Sequence, residues 1–534
     1  MTGLTIRMME EAAGGVFHLS FQSRDGRFVT LDRENLSQAG ESERAAFDKA
    51  LDTEITSIVT DSRKASKGAV FGAIIGERVD GHNFIRSVFE QGAACVLSER
   101  TLEEKDVFGE DDAASEDGRK SGSFTMSDAP EEGRAWIMVE STIAALGAIA
   151  ARYLDLIRVP VVGITGSVGK TSTKEMIASV LSVKLRTRKT EGNFNNELGL
   201  PLTVFGLEKE DEAAVLEMGV SHFGDMTQLA RIARPKRMVI TNIGTCHLEF
   251  LQDREGVFRA KTEVFDYMGE DSFVFLNGND DLLRKVSDVH GRKPVFFGVD
   301  SRLKGVSELS PGPLVPYPAD LPSERCVVVT SVRPLGFEGS ECRIQTPRGD
   351  FTVKVPVPGI HNCSNAAAAT AVALSFGMSL EEIREGIESA QTISGRFRVL
   401  KAEDRTVIDD CYNANPVSMK SSLLVLSGAE GRRCAVLGDM GELGEEEVLL
   451  HDDVGMFAAS CVDHLIAIGP LSRAMYDAAL REKPGLSASW YESVEDFLAH
   501  TGDEIRSGDT ILVKASHYMH FEKIVEALMR DSAG

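Results

Sequence analysis

Short apolar runs alternate with amphipathic helical patterns in two long parts of the chain. Between residues 159 and 244 the apolar runs are bounded by glycines and polar residues, and residues 170–183 repeat apolar side chains at helical spacing. The same rhythm restarts after residue 400. Strands that alternate with helices in this way predict an α/β fold with parallel sheets. The predicted strands are residues 159–165, 213–219, 237–244, 406–410, 433–439, 464–469 and 510–516, and further helices are predicted at 445–459 and 471–482.

The length of the chain predicts several domains. At 534 residues it exceeds what one hydrophobic core accommodates, and about 150 residues per domain suggests three domains. We place the boundaries near residues 150 and 398. The prediction is therefore a small mixed α/β domain at 1–150, a central domain with a parallel sheet and a phosphate loop at 151–397, and a Rossmann-like domain at 398–534.

Three polar segments interrupt these patterns and are interpreted as insertions or linkers. Residues 22–49 are rich in charged side chains. Residues 102–133 are acidic and rich in serine and glycine, a composition typical of a mobile surface loop. Residues 307–324 carry five prolines, which exclude a regular helix or a central strand.

Composition and charge narrow the class of protein. The chain is 43% hydrophobic and 26% charged, as is usual for globular proteins. Its formal charge of −24 argues against non-specific nucleic-acid binding, but a local basic pocket could still bind an anionic substrate. The eight cysteines are scattered singly, which favours free thiols over a zinc site. With no apolar signal core and no apolar run long enough for a membrane span, we expect a cytoplasmic protein. We also expect it to be a monomer.

The most informative motif is GITGSVGKTSTK, residues 163–174. It follows a predicted strand and opens a predicted helix, which is the setting of a phosphate-binding loop. Lys170 would reach terminal phosphate oxygens, and the Thr171 hydroxyl would ligate Mg²⁺. The spacing G-x-x-x-x-G-K-[ST] is missed by one residue, so an incidental glycine-rich turn stays the alternative. The predicted ATP-binding residues of the loop are Gly166, Ser167, Val168, Gly169, Lys170, Thr171 and Ser172.

Polar residues also follow the next two predicted strands. Glu217 ends the second strand, and carboxylates at the C-terminal edge of a parallel sheet point into its ligand crevice. His247 and Glu249 follow the third strand, although a lone histidine is commonly structural. Residues 190–205, TEGNFNNELGLPLTVF, hold three asparagines in four positions. Such amides suit either a wall for a polar substrate or an asparagine-rich turn.

The phosphate loop, the asparagine-rich segment and several later motifs together resemble the Mur ligase family of ATP-dependent amide-bond-forming enzymes. In that family, too, the first glycine of the loop is offset from the usual position. The resemblance includes residues 55–97, SGRFRVL (394–400) and VIDDCYNANPVSMKSSL (407–423), and outside the insertions it runs from about residue 55 to 530. A D-N-P-R motif is absent from the sequence, which points to the dipeptide-adding branch of the family.

The resemblance implies a reaction. ATP would phosphorylate the C-terminal carboxylate of UDP-N-acetylmuramoyl-tripeptide, and the amine of D-alanyl-D-alanine would attack the acyl phosphate, giving the pentapeptide precursor of peptidoglycan, ADP and phosphate. The three domains would bind the UDP-sugar, ATP with two Mg²⁺ ions, and the dipeptide. A ligase of the same fold that adds a single amino acid is the nearest alternative. An inactive ATP-binding scaffold is another, although Lys170, Glu217 and His247 are all present.

The resemblance also implies roles for individual residues. Lys170, His247 and Lys261 are implied as catalytic, with Lys261 carbamylated by CO₂, because a carbamate anion can help to hold Mg²⁺ and an ammonium cannot. His517 stands where the family has an arginine, so we assign it no substrate contact. The implied metal ligands are Thr171, Glu217, His247 and Lys261; further ATP contacts are Asn365, Arg396 and Asp410; substrate contacts are Ser62, Arg63, Asn193, Asn195, Asn196, Asn413 and Asn415.

Overall fold

The computed structural model describes residues 1–22, 27–108, 133–303, 317, 323–391 and 394–530. Most of the acidic segment 102–133 and of the proline-rich segment 307–324 lies outside these described residues. The chain divides into two compact units. One unit contains Met1–Pro160, Thr190–Leu216 and Gln228–Arg234, and the other contains Val161–Lys189, Glu217–Thr227 and Pro235–Gly534.

The strands of the described residues fall into three parts of the chain. The first part contains β1 (Val16–Gln22), β2 (Phe28–Leu31), β3 (Ser57–Val59), β4 (Ala69–Gly72), β5 (Cys95–Ser98) and β6 (Arg134–Met138). The middle part contains β7 (Val161–Thr165), β8 (Thr187–Lys189), β9 (Ala213–Glu217), β10 (Arg237–Ile240), β11 (Phe273–Asn277), β12 (Val295–Val299), β13 (Cys326–Pro334), β14 (Ser340–Thr346) and β15 (Gly349–Val355). The last part contains β16 (Arg398–Lys401), β17 (Thr406–Asp409), β18 (Arg432–Gly438), β19 (His464–Ile468), β20 (Ser487–Tyr491) and β21 (Asp509–Lys514).

The α-helices alternate with these strands. The first nine are α1 (Ile6–Ala13), α2 (Glu41–Leu51), α3 (Ile85–Glu90), α4 (Glu104–Val107), α5 (Thr142–Ile157), α6 (Lys170–Ser182), α7 (Gly199–Phe205), α8 (Asp225–Ala233) and α9 (Leu248–Leu251). The others are α10 (Arg254–Thr262), α11 (Ile360–Ser375), α12 (Leu380–Glu388), α13 (Pro416–Ser427), α14 (Glu447–Cys461), α15 (Ser472–Glu482), α16 (Val494–Ala499), α17 (Thr501–Glu504) and α18 (Glu522–Arg530).

Three sheets organise the described residues, which confirms the predicted α/β class with three sheet-containing domains. The first sheet has the order β2-β1-β6-β5-β4-β3, the second β15-β14-β13-β12-β11-β10-β7-β9-β8, and the third β16-β17-β21-β18-β19-β20. Strand β10 pairs in parallel with β7 and with β11, so the carboxyl ends of these three strands meet at one edge. That edge is where the second sheet can present a ligand site. The boundaries near residues 150 and 398 stay a prediction.

The third sheet is buried on both faces, which explains its uninterrupted apolar strands. On β18, Cys434 and Val436 pack into one hydrophobic cluster, while Ala435 and Leu437 pack into another. Successive side chains of a strand point to opposite faces, so each face is covered by its own set of helices and loops. The predicted strands at 433–439, 464–469 and 510–516 agree with β18, β19 and β21 within two residues at each end.

Residues 22–49, interpreted as an insertion or linker, contain regular secondary structure in the part that the structure describes, so that part is not an unstructured linker; that the segment is an insertion stays a prediction. Strand β2 pairs antiparallel with β1, with Leu19 opposite Leu31 and Gln22 opposite Phe28. Helix α2 buries Phe47 and Leu51. The sequence pattern was misleading because β2 is a four-residue edge strand and α2 buries only these two side chains, so polar residues dominate the segment.

No helix among the described residues combines the length and the apolar character that a membrane crossing requires. The eight cysteines of the sequence are all free thiols, and all except Cys246 are buried.

Gly455 on α14 provides a test of the packing between α14 and α15. A Cβ atom at this position would lie 2.2 Å from the backbone oxygen of Met475. We expect Gly455→Ala to lower the thermal unfolding midpoint by at least about 2 °C, because overpacking of about 1–3 kcal/mol outweighs the helix propensity gained. Gly502→Ala on α17 is the control, because a Cβ atom at Gly502 would have no other atom within 4 Å. Equal midpoints for the two variants, measured by calorimetry, would contradict this packing.

Candidate active site

Two glycines shape the phosphate loop between β7 and α6. Gly166 has a φ of 147°, and a Cβ atom there would lie 1.9 Å from the Thr241 hydroxyl oxygen. Gly169 has a φ of 84° and precedes the first residue of α6. Side chains other than hydrogen are unfavourable in this backbone region, so glycine is required at both positions for the shape of the loop. The N–H groups at the start of α6 point toward a bound anion in such a loop.

Thr241 and Asn242, which directly follow β10, hold the backbone of the loop. The Thr241 hydroxyl donates to the carbonyl of Val168 at 2.6 Å. The Asn242 amide donates to the same carbonyl at 2.9 Å and accepts from the Val168 N–H at 2.9 Å. Neither residue was predicted to be functional, because the apolar pattern placed both inside the strand predicted at 237–244, whereas β10 ends at Ile240.

Lys170 and Thr171 occupy the start of α6, as predicted. The Lys170 ammonium donates to the carbonyl of Gly166 at 2.9 Å, so it lies along the loop. Arg396 approaches the same place from the segment before β16, and its Nη2 donates to the Thr171 hydroxyl at 3.3 Å. The structure thus brings together three of the predicted nucleotide-binding residues, two of them cationic.

Glu217 lies at the carboxyl end of β9 and is 3% exposed. Its Oε2 atom is 4.0 Å from the ammonium of Lys174, a lysine that is itself 1% exposed and 3.2 Å from Glu175. A buried carboxylate at this edge of the sheet is a suitable oxygen ligand for Mg²⁺. Lys174 was not singled out from the sequence, because an ordinary helix lysine gives no signal that it is buried.

Asn365 supports the loop from α11 rather than standing free for a nucleotide. Its Oδ1 accepts from the Thr173 hydroxyl at 3.0 Å, and its amide donates to Asn362 at 3.0 Å. The same Oδ1 atom is 3.8 Å from the position of a Cβ on Gly169. Its contribution in this structure is therefore to fasten α11 to the start of α6.

His247 faces Glu442 of the loop after β18. The Nδ1 atom of His247 lies 2.9 Å from Glu442 Oε2, although the approach is not aligned as a hydrogen bond. Both residues have positive φ, 52° and 61°, a costly conformation for side chains of this size and one that is concentrated at functional sites. The neighbouring imidazole is the main reason why the pKa of Glu442 is lowered, with a smaller effect of Lys170. Glu249 is exposed in the first turn of α9.

Lys261 lies on α10 and is 1% exposed. The pKa of its ammonium is lowered to about 8, mainly by burial and to a smaller extent by the nearby positive charge of Lys170. A lysine in this state supplies an appreciable fraction of neutral amine near physiological pH.

The described residues contain no cluster of three or more His, Cys, Asp or Glu side chains with the geometry of a metal centre. The predicted ligand set includes only two residues of those types, Glu217 and His247, beside the Thr171 hydroxyl and Lys261. Hydroxyl and carboxylate oxygens are ligands that Mg²⁺ accepts, and this ion keeps several ligands from water or phosphate. The donor set therefore fits a Mg²⁺ ion that is held jointly by the protein and a nucleotide.

Asp410, predicted to reach ATP, is heavily engaged within the third sheet. Its carboxylate accepts from Lys514 at 2.7 Å, from the Ser422 hydroxyl at 2.6 Å and from the Phe397 N–H at 3.0 Å. Lys514 is 3% exposed, so this is a buried and fully hydrogen-bonded ion pair. The structure assigns Asp410 a supporting position at the end of β17.

The residues predicted to contact the UDP-sugar and the dipeptide differ in how far they are free for a ligand. Arg63 is exposed and pairs with Asp61 at 2.8 Å, which lowers the pKa of that carboxyl to about 2. Ser62 precedes it in the same short 3₁₀ turn. Asn193 is exposed and Asn195 is half-buried, whereas the Asn196 side chain accepts from the Gly199 N–H at 2.8 Å at the start of α7.

The motif YNANP at residues 412–416 begins α13. Asn415 caps this helix by accepting from the Ser418 N–H at 2.9 Å, and Pro416 occupies the first helical position, where it has no N–H to leave unpaired. Asn413 is exposed and accepts from its own neighbour Ala414 at 2.8 Å. His517 is exposed, and its ring centre lies 5.4 Å from that of Tyr412. Of the two predicted dipeptide contacts, Asn413 is therefore the freer.

The fold and this site define a nucleotide-binding enzyme of the phosphate-loop class. Three segments of the chain match known family patterns: residues 54–154 the Mur ligase family catalytic domain, 164–373 the Mur ligase middle domain, and 395–517 the Mur ligase glutamate ligase domain. The chain belongs to the Mur ligase family.

The relatives within this family include enzymes with one shared name. The chain is 33% identical over 485 residues to the UDP-N-acetylmuramoyl-tripeptide–D-alanyl-D-alanine ligase of Bacillus subtilis, covering 89% of this chain and 94% of that one. It is 32% identical to the enzyme of the same name from Escherichia coli, with coverages of 90% and 95%.

Solved structures of two relatives have a fold similar to that of this chain. The chain superposes on MurF from Acinetobacter baumannii with a TM-score of 0.75 at 28% identity, covering 98% of each chain. It superposes on MurF ligase from Thermotoga maritima in complex with ADP with a TM-score of 0.70 at 26% identity, covering 90% of this chain and 98% of that one.

Gly166→Ala tests whether the phosphate loop binds nucleotide in the described conformation. The added methyl group would collide with Thr241 and displace the loop, so we expect affinity for a fluorescent ATP analogue to fall by about tenfold or more. Gly224→Ala is the matched control, because Gly224 also has a positive φ, 88°, but a Cβ atom there would have no other atom within 4 Å. Unchanged affinity in Gly166→Ala would show that ATP does not use this loop.

Proposed function

We propose that the protein is an ATP-dependent ligase that joins D-alanyl-D-alanine to UDP-N-acetylmuramoyl-tripeptide and forms UDP-N-acetylmuramoyl-pentapeptide, ADP and phosphate. Relatives of this name that are 32–33% identical over about nine tenths of the chain support the choice of substrates. The observation that carries the chemistry is the convergence of Lys170, Thr171 and Arg396 at one phosphate loop. We also propose that the enzyme acts in the cytoplasm, as a monomer, in peptidoglycan precursor synthesis.

The first step is phosphoryl transfer from ATP to the C-terminal carboxylate of the tripeptide. A carboxylate oxygen attacks the γ-phosphorus, the bond to the β-γ bridging oxygen breaks, and ADP leaves with an acyl phosphate as the second product. Backbone N–H groups of the loop, Lys170 and Arg396 would neutralise the negative charge of the phosphates during this step. Little else is required of the protein, since phosphoryl transfer depends on positioning and charge.

Thr171, Glu217 and His247 would hold Mg²⁺, with two ions expected from the resemblance. Magnesium supplies charge neutralisation for a bound triphosphate. Two of these residues also order the site without the ion. The Thr171 hydroxyl accepts a hydrogen bond from Arg396, and the Glu217 carboxylate lies beside the Lys174 ammonium.

In the second step the amine of the dipeptide attacks the acyl carbon, a tetrahedral intermediate forms, and phosphate departs as the amide bond closes. No enzyme nucleophile is needed, which agrees with a site composed of cations, amides and carboxylates. Two residues near the start of α13, Asn413 and Asn415, are predicted to contact the dipeptide, and Asn413 is the exposed one.

Substrate dependence provides the direct test of this function. We expect purified protein with MgATP, UDP-N-acetylmuramoyl-tripeptide and D-alanyl-D-alanine to release phosphate and to form the pentapeptide product, detected by mass spectrometry. Lys170→Met should lose this activity and Lys293→Met, at an exposed lysine, should keep it. Phosphate release that ignores the dipeptide would contradict the proposal, and activity with single amino acids instead would support the alternative ligase.

We further propose that Lys261 is carbamylated, as the family resemblance implies. The neutral amine attacks the carbon of CO₂, an N–C bond forms and a proton is lost, which leaves an anion where an ammonium stood. Burial favours this reaction because it lowers the pKa of Lys261 to about 8. Since only the neutral amine reacts, the carbamate content should rise as pH increases through about 8.

Carbon-13 NMR with labelled bicarbonate tests the carbamate. We expect a carbamate carbonyl signal in the wild-type protein that grows over this pH interval and is missing in Lys261→Ala. The variant should lose ligase activity and regain part of it with a short-chain carboxylic acid that supplies the missing anion. An identical signal in both proteins, or full activity of the variant, would exclude the modification as a requirement.

A further inference from the structure

The guanidinium of Arg396 reaches the phosphate loop with few polar contacts of its own. Its Nη2 donates to Thr171 at 3.3 Å, a long hydrogen bond, and its buried Nε has no hydrogen-bond partner among the described residues. Its guanidinium carbon lies 4.1 Å from the centre of the Tyr412 ring. Stacking on an aromatic face is favourable for a guanidinium and leaves its in-plane N–H groups available to an anion.

The backbone around Arg396 is fitted closely to Tyr412. The Tyr412 N–H donates to the carbonyl of Gly395 at 3.1 Å. A Cβ atom on Gly395, which has a φ of 74°, would lie 3.0 Å from Tyr412 Cβ, so only glycine permits this approach. The two segments are therefore held together at the residue next to the arginine.

Carboxylates at the end of β17 fix the same segment from the other side. Asp409 accepts from the Gly395 N–H at 2.8 Å and from the Ser394 hydroxyl at 3.1 Å. Asp410 accepts from the N–H of Phe397, which has a φ of 55°. Hydrogen bonds thus fix the backbone before and after Arg396. The direction of the arginine side chain then depends on its contact with the Tyr412 ring.

The Tyr412 hydroxyl does not act as an acid or base in this arrangement. Burial raises the pKa of Tyr412, with an opposing effect from Arg396 and a further increase from Glu217. The hydroxyl therefore stays protonated at neutral pH, so the side chain offers Arg396 its aromatic face and an uncharged hydroxyl.

We propose that Tyr412 is a positioning residue that orders the Arg396 guanidinium beside Thr171 for the terminal phosphate of ATP. This inference rests on the proposed function in one respect, namely that the anion at the loop is a nucleoside triphosphate. A cation next to the hydroxyl of the phosphate-loop threonine lies on the side of the β- and γ-phosphates in sites of this class. Ordering it in advance reduces the conformational freedom that binding would otherwise remove.

Discrimination between ATP and ADP tests this role in the full-length protein. The probes are β,γ-methylene-ATP and ADP, each with Mg²⁺ and without acceptor substrates. The preference is the ratio of the Kd for ADP to the Kd for β,γ-methylene-ATP. We expect Tyr412→Leu and Arg396→Leu each to lower this ratio about tenfold, because both would leave the terminal phosphate without an ordered cation. Tyr412→Phe should retain the preference within about twofold, since it keeps the aromatic face, and Tyr518→Leu, at an exposed tyrosine, is the control.

A double variant separates positioning from a general structural defect. With Arg396→Leu already present, adding Tyr412→Leu should change the preference by no more than about twofold, since both residues act through one contact. Additive losses, an equal loss of ATP and ADP binding in Tyr412→Leu, or a Tyr412→Phe variant as impaired as Tyr412→Leu would each overturn the proposal. Because these measurements need no dipeptide, they succeed or fail independently of whether the enzyme forms the pentapeptide.

Discussion

The backbone of Val168 is held by the side chains of Thr241 and Asn242, and the remainder of the site depends on this contact. It exists because β7 and β10 pair in parallel with Thr165 opposite Ile240, so that the residues just beyond each strand meet. A slip of one residue would turn these side chains to the other face of the sheet. Because the loop has this shape, Lys170 and Thr171 lie in the first turn of α6, where Arg396 can donate to the Thr171 hydroxyl.

Lys170 and Arg396 at the phosphate loop give this acidic protein a local site for anionic substrates, although the chain has a formal charge of −24. The three buried lysines, Lys174, Lys261 and Lys514, have other surroundings, and each is at most 3% exposed. Lys514 is paired with Asp410, Lys174 lies beside carboxylates, and burial lowers the pKa of Lys261. Charge buried in surroundings of low polarity acts over longer distances than charge at the surface, so a few residues can determine the local potential.

The sequence predicted the fold and the phosphate loop well because both depend on local patterns. The apolar run before Gly166, the glycines and the start of α6 are all readable within a dozen residues. Contacts between segments that are distant in the chain could not be predicted, because nothing in the local sequence marks the residues that make them. Such contacts join Arg396 to Tyr412, His247 to Glu442, and Glu217 to Lys174. The strand and the helix within residues 22–49 were not readable for a related reason, because an edge strand and a helix with two buried side chains have the composition of a linker. The asparagines predicted as ligand contacts could not be assigned from sequence for another reason: the amide oxygens of Asn196 and Asn415 also accept backbone N–H groups at the starts of α7 and α13.

Transfer of an oxygen atom from the tripeptide to phosphate tests the central claim, that ATP is used to make an acyl phosphate. The C-terminal carboxylate of UDP-N-acetylmuramoyl-tripeptide would be labelled with oxygen-18 and the reaction run with MgATP and D-alanyl-D-alanine. Phosphorus NMR of the released phosphate should show one labelled oxygen per molecule, because the bond between the acyl carbon and the bridging oxygen breaks when the amine displaces phosphate. Phosphate without the label would contradict the claim, since it would mean that ATP is cleaved by water rather than by the carboxylate.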